Sequence, residues 1–499
     1  MDTDLKYGEL IIGIITTVGA YKQQLIDDLK DSLRKFEYDV EILSVTSEVI
    51  DGLMKDKPTF INEATRINYY MNAGNSIRDN ASDNKILMRG IINKIYASRS
   101  GDEKGKIPGQ KKAYIIDSIK HPDEVEILRD IYKDAFFLIG FTGDYEKRKS
   151  YLVTKKGLNE SQAKEILARD EHEELAYGQH VRDAFQMADF FIMDSDNNNC
   201  CVNAVNKFVD LIFGSPFITP SFEEYAMFMA FASSLRTADL SRQVGAVVAK
   251  NNEVLASGTN DCPKFGGGLY WSEKDSNGCY VDEDNGRDYK LNYDPNKEQQ
   301  AKIVMHILKS FKLDENDVNV QKIKDSGIGD LTEFGRGVHG EMEALLFCAR
   351  NNISCRGADM YVTTFPCHNC AKHIIAAGIK KVVYIEPYPK SKALEFYQNE
   401  ICMSNNGANK EKVLFKMFEG VGPQRFQDLF CMSSTRLYKR KRKDSAGKIV
   451  DWKRENAVPR YVVPLFNYID MEMMEVMRYG EQAKRLEEKE MHNTTENGE

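Results

Sequence analysis

The chain has 499 residues, of which 42% are hydrophobic, and a formal net charge of −8 at pH 7. Its length exceeds that of one ordinary domain and its apolar content supports packed cores, which excludes an intrinsically disordered protein. The acidic balance argues against a general nucleic-acid coat, and no apolar run reaches the roughly 18 residues of a membrane span. Ten cysteines without the spacing of a small disulfide scaffold favour reduced thiols and a cytoplasmic protein.

Predicted strands and helices alternate through the first 215 residues. Apolar strands are predicted at 9–18, 39–45, 112–117, 135–143 and 188–195. Helical patterns cover 20–35, 60–98, 121–132, 145–157 and 161–174. Because strands that alternate with helices are typical of parallel sheets, we expect an α/β domain over residues 1–215.

The stretch GIITTVGAYKQQ joins the first strand to the first helix, where a phosphate-binding loop belongs. Gly13, Gly19 and Lys22 are its candidate nucleotide-binding residues. The stretch departs from the P-loop pattern G-x-x-x-x-G-K-[ST], because five residues separate the glycines and Ala20-Tyr21 stand where Lys and Ser or Thr belong. Amides at the start of a helix can still hold a phosphate, and the alternative is a scaffolding or regulatory domain.

A second domain is expected over 216–435. It begins at a helix for which Ser221 and Glu224 predict a capping box. Predicted strands lie at 242–250, 253–260, 359–364 and 381–386, and predicted helices at 340–350 and from residue 367. A charged insertion is expected at 272–330, with a helix near 297–312.

Residues 436–499 are expected to form a basic segment followed by a C-terminal helix at about 467–490. The basic run KRKRK at 439–443 can contact phosphates of a nucleotide or an RNA, or can be a solvated loop. The Met-rich face of the helix favours packing between subunits, and we therefore expect a homo-oligomer.

The most informative pattern is His339-x-Glu341 followed by Pro366-Cys367-x-x-Cys370. The cysteines lie one helical turn apart at a predicted helix start, so both thiols can face one point, and the helix dipole favours their thiolate forms. One imidazole and two thiolates suit tetrahedral Zn²⁺ and leave its fourth position open. Glu341 is then placed to transfer protons at that open position.

Two other interpretations of the cysteines have less support. A redox C-x-x-C pair gives no role to His339 or Glu341. A structural zinc site lacks an obvious fourth ligand, since His368 lies between the cysteines and His373 lies a turn further on. We therefore expect a catalytic zinc site.

The stretches VHGEMEAL, TTFPCHNCAKHIIAAGIKKVVYIEPYPKS, DLSRQVGAVV and SGTNDCPKFGGGLYW resemble the cytidine and deoxycytidylate deaminase family over about 220–430. Together with AYIIDSIKHPDEVEILRDIY and the helix after residue 221, they are most similar to bacterial anti-phage dCTP/dCMP deaminases. The resemblance implies an α/β fold: a P-loop-kinase-like parallel-sheet domain followed by a cytidine-deaminase-like α/β/α domain.

The resemblance also implies an activity, which is zinc-dependent conversion of dCTP or dCMP to the uracil nucleotide and ammonia. It implies His339, Cys367 and Cys370 as zinc ligands and Glu341 as the catalytic proton-transfer residue. Free deoxycytidine nucleotides are the implied substrates, with a second nucleotide at the N-terminal domain and a regulatory RNA as further candidate partners. The alternatives are a housekeeping dCMP deaminase, a nucleic-acid editing enzyme and a zinc-stabilised nucleotide sensor without turnover.

Three residues are candidates for substrate binding. Asn260 matches an asparagine that contacts the sugar or base in related deaminases, or is a turn residue. Arg242 and Lys264 are candidates for phosphate contacts, or are surface charges. Phe365 and Pro366 are expected to shape the pocket wall.

Overall fold

The computed structural model describes residues 8–54, 58–102, 105–172, 179–195, 198–388, 390–403, 411–433, 439–461 and 467–496. The chain forms two compact units. Unit 1 comprises residues 1–220 and 419–499, and unit 2 comprises residues 221–418. Within the described residues, no helix combines the length and apolar character needed to cross a membrane.

The strands are short and evenly spread along the chain. In chain order they are β1 (Leu10–Thr16), β2 (Asp39–Ser44), β3 (Gly101–Asp102), β4 (Gly105–Lys106), β5 (Lys112–Asp117), β6 (Phe136–Thr142), β7 (Phe190–Met193), β8 (Gly245–Lys250), β9 (Glu253–Thr259), β10 (Glu273–Lys274), β11 (Tyr280–Val281), β12 (Asp359–Thr364), β13 (Lys381–Glu386), β14 (Ile401–Cys402), β15 (Val413–Met417) and β16 (Gly420–Val421).

The helices separate most of these strands. In chain order they are α1 (Lys22–Arg34), α2 (Asp51–Leu53), α3 (Glu63–Ala81), α4 (Ile86–Ser98), α5 (Pro122–Tyr132), α6 (Tyr145–Thr154), α7 (Glu160–His172), α8 (Val181–Phe185), α9 (Asn198–Ile212), α10 (Phe222–Ser234), α11 (Pro295–Phe311), α12 (Asp317–Asp325), α13 (Gly340–Arg350), α14 (His368–Ala376), α15 (Ala393–Phe396), α16 (Phe426–Phe430) and α17 (Asn467–Glu496).

The main sheet of unit 1 has the strand order β16-β7-β6-β1-β5-β2. Strands β2, β5, β1, β6 and β7 are parallel, and β16 pairs antiparallel with β7. Every residue of β1 is buried, and its alternate side chains pack against α1 and α9 on one face. Burial on both faces explains the apolar runs of β1, β5, β6 and β7, whereas β2, at the edge of the sheet, is partly exposed. The parallel pairing confirms the predicted α/β arrangement.

Two helical regions differ from the prediction. The stretch 60–98 is two helices rather than one, because Ser82 adopts a left-handed backbone with φ 51° and ends α3. Helix α9 was missed, since its asparagine-rich start hides the apolar periodicity that follows. The capping box of α10 is confirmed, with the Ser221 hydroxyl accepting from the Glu224 amide and the Glu224 carboxylate accepting from the Ser221 amide.

The C-terminal residues belong to unit 1, whereas the sequence analysis ended the second domain at 435 and set 436–499 apart. Strand β16 extends the sheet of unit 1, and α17 packs against α4. Arg99, at the end of α4, donates to Glu9 at 2.6 Å and to Glu472 of α17 at 2.9 Å, and all three side chains are buried. These long-range contacts are the physical reason for the different boundary. The first boundary falls after residue 220 rather than 215.

Part of the basic run at 439–443 is structural. Arg440 is 7% exposed, and its guanidinium donates to the carbonyls of Ser215 at 2.9 Å and Leu429 at 2.7 Å. Burial lowers the pKa of Arg440 to about 10. Arg442 donates to the Pro216 carbonyl at 2.8 Å. A solvated loop is therefore the wrong description for Arg440, whereas the other four residues of the run, Arg442 included, are exposed.

The main sheet of unit 2 has the order β14-β15-β13-β12-β8-β9. Strands β12 to β15 are parallel, whereas β8 is antiparallel to both β12 and β9. Helix α10 lies on one face, where a Cβ on Gly245 would meet the Ala230 carbonyl, and α13 lies on the other, against Gly258. Unit 2 is thus an α/β/α sandwich. The insertion contains the predicted helix as α11, and also α12 and the hairpin β10–β11.

We predict that Arg99→Met lowers the stability of unit 1 by about 3–5 kcal/mol, because it leaves two carboxylates buried without their cation. Arg478→Met is the matched control, since Arg478 lies on α17 in an exposed ion pair with Glu475 and should contribute less than about 1 kcal/mol. Thermal and urea denaturation of both variants checks this. Equal effects of the two substitutions would contradict the structural role given to Arg99.

Candidate active site

Four strand ends of unit 2 meet at one edge of its sheet. Thr364 pairs with Glu386, and Val362 pairs with Ala246, so the C-terminal ends of β12 and β13 lie beside the N-terminal end of β8. Strand β9 runs antiparallel to β8 and ends at the same place. We call this the site edge. The loops that carry the candidate catalytic residues all leave the sheet there.

Helix α13 begins against the site edge because two glycines permit it. A Cβ on Gly258 of β9 would lie 2.3 Å from the Gly340 carbonyl oxygen, and a Cβ on Gly340 would lie 2.9 Å from the Val244 carbonyl oxygen. Any larger residue would push the helix away. His339 is the residue before this helix, and Glu341 lies in its first turn, so the same contact positions both side chains.

Helix α14 begins at the end of the loop that follows β12. Cys367 caps this helix, with its Sγ accepting from the Cys370 amide at 3.4 Å. The loop itself is held at two points. The Phe365 amide donates to the Glu386 carbonyl at 2.7 Å, and the Ser391 hydroxyl donates to the Pro366 carbonyl at 2.8 Å.

His339, Cys367 and Cys370 form the metal cluster. Nδ1 of His339 lies 3.4 Å from Sγ of Cys367 and 3.3 Å from Sγ of Cys370, and the three ligand atoms lie within 4.8 Å of one another. Ligands at about 2.1 and 2.3 Å from a tetrahedral zinc ion are about 3.6 Å apart, so these separations fit Zn²⁺. His368 lies 3.9 Å from Glu333 and is not part of the cluster.

The electrostatics of the cluster favour the thiolate form of Cys367, whereas the hydrogen bond with Cys367 and then burial raise the pKa of Cys370. Hydrogen bonds with Cys370 and then His339 lower the pKa of Cys367 to about 4. The partner sulfur of Cys367 raises the pKa of His339 to about 9. Thiolate is the form in which cysteine binds metals, and metal binding displaces the proton of the imidazole nitrogen that becomes a ligand. The donor set therefore suits a divalent cation.

Glu341 lies beside the cluster and is suited to proton transfer in both directions. Its side chain is 4% exposed. Burial, followed by the negative charge of Cys367, raises its pKa to about 7. A carboxyl group with a pKa near neutrality can both accept and donate a proton at pH 7. A zinc ion held by the cluster supplies a Lewis acid that brings the pKa of water near 7.

Two of the predicted substrate-binding residues lie at the site edge. Arg242 is half exposed, and its guanidinium pairs with Glu386 at 2.9 Å and lies over the ring of Tyr388. Asn260 is 7% exposed, and its amide bridges the backbone before β8, donating to the Arg242 carbonyl at 2.7 Å and accepting from the Val244 amide at 2.8 Å. These bonds give Asn260 a scaffolding role at the site.

Lys264 lies in the segment leading to the insertion. It pairs with Glu273 at 2.9 Å, and its ammonium lies 5.8 Å from the ring centre of Tyr270. No contact described for this residue reaches the metal cluster.

The predicted nucleotide-binding residues of unit 1 are engaged within the fold. Gly13 lies inside β1, where a Cβ would meet Ile119 at 2.5 Å, so it belongs to the core rather than the loop. Gly19 has φ +88° and packs against the backbone of Arg148. The Lys22 ammonium pairs with Asp117 at 2.7 Å.

The amides of the same loop also have partners. The Val18 amide donates to Asp170 at 2.8 Å and the Tyr21 amide to Asp194 at 3.1 Å, so carboxylates occupy two of the donors that a P-loop offers to phosphate.

Sequence reasoning missed three residues that support the site. Asp239 accepts from the Arg242 amide at 3.2 Å, and its charge contributes to the raised pKa of His339. Glu386 joins Arg242 to the loop before Cys367. Ser391 fixes that loop. An aspartate that precedes the amide it binds by three residues is a known turn pattern, so the role of Asp239 was predictable from the sequence. The contacts of Glu386 and Ser391 have no such local pattern.

We predict that purified protein binds one zinc ion per chain and that His339→Ala or Cys367→Ser lowers its zinc affinity by more than about 100-fold. Loss of a residue that only hydrogen-bonds to a metal ligand typically lowers metal affinity 10–100-fold, so loss of a ligand itself should lower it further. Cys402→Ser, a half-buried cysteine outside the cluster, is the matched control. Elemental analysis and chelator competition provide the measurement. Zinc retained in both cluster variants would contradict the ligand assignment.

Known proteins match the region that contains this site. A sequence model of the cytidine and deoxycytidylate deaminase zinc-binding region matches residues 220–386. The deoxycytidylate deaminase of Enterobacteria phage T4 is 34% identical over 164 residues, which cover 33% of this chain and 77% of that protein. The human deoxycytidylate deaminase is 28% identical over 163 residues, or 32% of this chain and 63% of that protein.

Solved structures also match this chain. The dCMP deaminase of cyanophage S-TIM5, crystallised with dCMP and dUMP, is 20% identical, with coverage of 40% of this chain and 100% of that chain and a TM-score of 0.23. The residues matched by the family model, 220–386, include the three residues of the metal cluster. This chain belongs to the cytidine and deoxycytidylate deaminase family of zinc-dependent hydrolases.

Proposed function

We propose that unit 2 hydrolyses the exocyclic amine of a free deoxycytidine nucleotide. Water adds to C4 of the cytosine ring, the 4-amino group departs as ammonia, and the ring becomes uracil. The observation that carries this proposal is the buried carboxyl of Glu341 beside the metal cluster. A structural zinc site has no need of such a group.

Glu341 performs the proton transfers in this scheme. Its carboxylate accepts a proton from the attacking water and delivers it to N3 of the ring. It then takes the proton of the new C4 hydroxyl and delivers it to the amino nitrogen, so that ammonia departs as the C4 carbonyl forms. Burial keeps competing bulk water away from the carboxyl and holds its pKa close to the working pH. The cluster residues hold the metal, and the Gly258–Gly340 contact keeps Glu341 in register with them.

Arg242 is the residue we propose for contact with the nucleotide phosphate. It lies at the site edge with half of its side chain exposed, and a guanidinium there can exchange Glu386 for a phosphate oxygen. Lys264 is a weaker candidate because its described contacts are with Glu273 and Tyr270 rather than with residues at the site edge. A phosphate contact from Arg242 serves dCMP and dCTP alike, and relatives named deoxycytidylate deaminases support dCMP as one substrate.

The decisive experiment is a chromatographic product assay with dCMP, dCTP, CTP and cytosine-containing single-stranded DNA. We expect uracil nucleotide from dCMP, dCTP or both, and a loss of about 10²–10⁴-fold in kcat for Glu341→Gln at unchanged zinc content. Glu343→Gln is the matched control, since Glu343 lies on the same helix, is equally buried and pairs with Arg350 instead. Full activity in Glu341→Gln, or conversion of DNA alone, would refute the proposal.

A second prediction separates the two candidate phosphate contacts. Arg242→Gln should raise KM for the nucleotide by about 10–100-fold, the value of one hydrogen bond to a charged group, with a smaller effect on kcat. The nucleoside deoxycytidine should be turned over equally by wild type and variant. Lys264→Gln should leave both substrates unchanged. If Lys264→Gln gives the KM effect and Arg242→Gln does not, the assignment is reversed.

We further propose that depletion of the dCTP pool makes the enzyme an anti-phage defence protein. The support is the joining of an α/β unit to a deaminase unit in one chain, an organisation that resembles the bacterial anti-phage deaminases. Housekeeping supply of dUMP requires only the deaminase unit.

Plating of a DNA phage on bacteria that express the chain tests this role. We expect fewer plaques and a lower dCTP pool with wild type, and neither effect with Glu341→Gln. Protection that persists in Glu341→Gln would instead favour a nucleotide sensor without turnover. A lower dCTP pool without protection would favour the housekeeping role.

A further inference from the structure

Unit 1 contains a cavity of about 310 Å³ that the deaminase chemistry does not use. It lies between helix α3 and the C-terminal ends of β1 and β5, and it is lined there by residues 16–20, Ser118 and Lys120. Ligands of open α/β sheets bind at the carboxyl ends of the strands, and small-molecule sites begin at about 300 Å³. The cavity therefore has the position and the size of a ligand site.

One face of helix α3 forms the opposite wall. Arg66, Tyr70, Gly74 and Arg78 line the cavity at intervals of four residues, which places them on one side of the helix about 6 Å apart along its axis. Glycine destabilises a helix interior. A Cβ on Gly74 would meet its nearest neighbour, Nη1 of Arg78, at an ordinary 3.6 Å, so packing does not require glycine here. The missing side chain leaves space beside the guanidinium of Arg78.

Arg78 is buried in this wall, and some of its hydrogen-bond donors are unpaired. It is 2% exposed, and its Nη2 donates to Glu124 at 2.7 Å. Its Nε and Nη1 are buried and have no hydrogen-bond partner among the described residues. Buried charged donors are almost always paired, so an unpaired one that lines a cavity indicates an absent acceptor. The Glu124 carboxylate also accepts hydrogen bonds from the backbone amides of Lys120 and His121. These bonds fix its position, so it does not reach Nε or Nη1 of Arg78.

The other basic residues that line the cavity are already paired. Each lies within 3.4 Å of a carboxylate, in the pairs Lys22–Asp117, Arg66–Glu63, Lys156–Glu63 and Lys120–Asp170. Of the charged residues lining the cavity, five are basic and Glu63 alone is acidic. The partner carboxylates Asp117, Asp170 and Glu124 bring the acidic groups to four against five basic residues, so one net positive charge remains. Arg78 is the cation among them with unpaired donors that can bind an anion.

We propose that this cavity binds a nucleoside 5′-monophosphate, with a phosphate oxygen accepting from Nη1 of Arg78 and the base beside Tyr70. Tyr70 lies about 12 Å from Arg78 along the helix axis, which matches the length of an extended nucleotide. Tyr151 also lines the cavity, and aromatic rings bind bases by stacking. The site lies within unit 1 and does not depend on the proposed deamination in unit 2.

Gly74→Leu tests the site without removing Arg78 or its bond to Glu124. The new side chain fills the space beside Nη1, while leucine is a better helix former than glycine. Gly480→Leu is the matched control, since Gly480 also lies inside a helix of unit 1 and has open space around its Cβ position. Isothermal titration of the full-length protein with dAMP, dGMP, dTMP and inorganic phosphate gives the readout, because none of these probes carries cytosine.

We expect at least one of these monophosphates to bind wild type and Gly480→Leu equally, and Gly74→Leu to bind it at least tenfold more weakly at an unchanged or raised melting temperature. Arg78→Lys, which keeps a charge for Glu124 but shortens the reach, should weaken the same nucleotide. No binding by wild type at millimolar concentrations would overturn the proposal. So would equal binding by Gly74→Leu, or inorganic phosphate binding as tightly as the nucleotide. The product assay with dCMP and dCTP is a separate measurement. A failure of the nucleotide site in unit 1 can therefore be distinguished from a failure of the proposed deamination in unit 2.

Discussion

The contact of strand β9 with the first turn of helix α13 is the constraint on which the catalytic unit depends. Gly258 and Gly340 bring two backbones within a distance that no side chain allows. His339 and Glu341 flank that contact, so their positions follow from it. The second helix, α14, reaches the same point through the parallel pairing of β12 and β13. Zinc binding is the consequence of two helices that start at one sheet edge, each fixed there by a different backbone contact.

Buried charge distinguishes structural from functional residues in both units. Arg99 is buried between Glu9 and Glu472, with its donors matched to carboxylates, and it holds the C-terminal helix in unit 1. Glu341 is buried beside cysteine sulfur, and both the burial and the charge of Cys367 raise its pKa to about 7. Arg78 is buried with two nitrogens unpaired. A buried polar group without a partner lowers the stability of the fold. Glu341 and Arg78 are therefore the buried charged residues for which we infer a chemical role.

Much of the fold was predictable because it is encoded locally. Strands buried on both faces produce apolar runs, and β5, β12, β13 and α13 were predicted with the bounds that the structure has. The capping box of α10 is a pattern within four residues. Helix α9 and the split between α3 and α4 were missed, since one depends on an uncharacteristic helix start and the other on a single left-handed residue. The extent of unit 1 was also missed, because Arg99 and Glu472 are 373 residues apart.

The sequence by itself predicted the three residues of the metal cluster and a proton-transfer role for Glu341, because a one-turn cysteine spacing and His-x-Glu at a helix start constrain chemistry over a few residues. Only the tertiary structure decided the surroundings of those residues. It paired Arg242 with Glu386, turned Asn260 toward the backbone, placed Gly13 in the core and left Arg78 with donors facing a cavity. Such partners come from distant segments, and the packing free energy that joins them leaves no pattern along the chain.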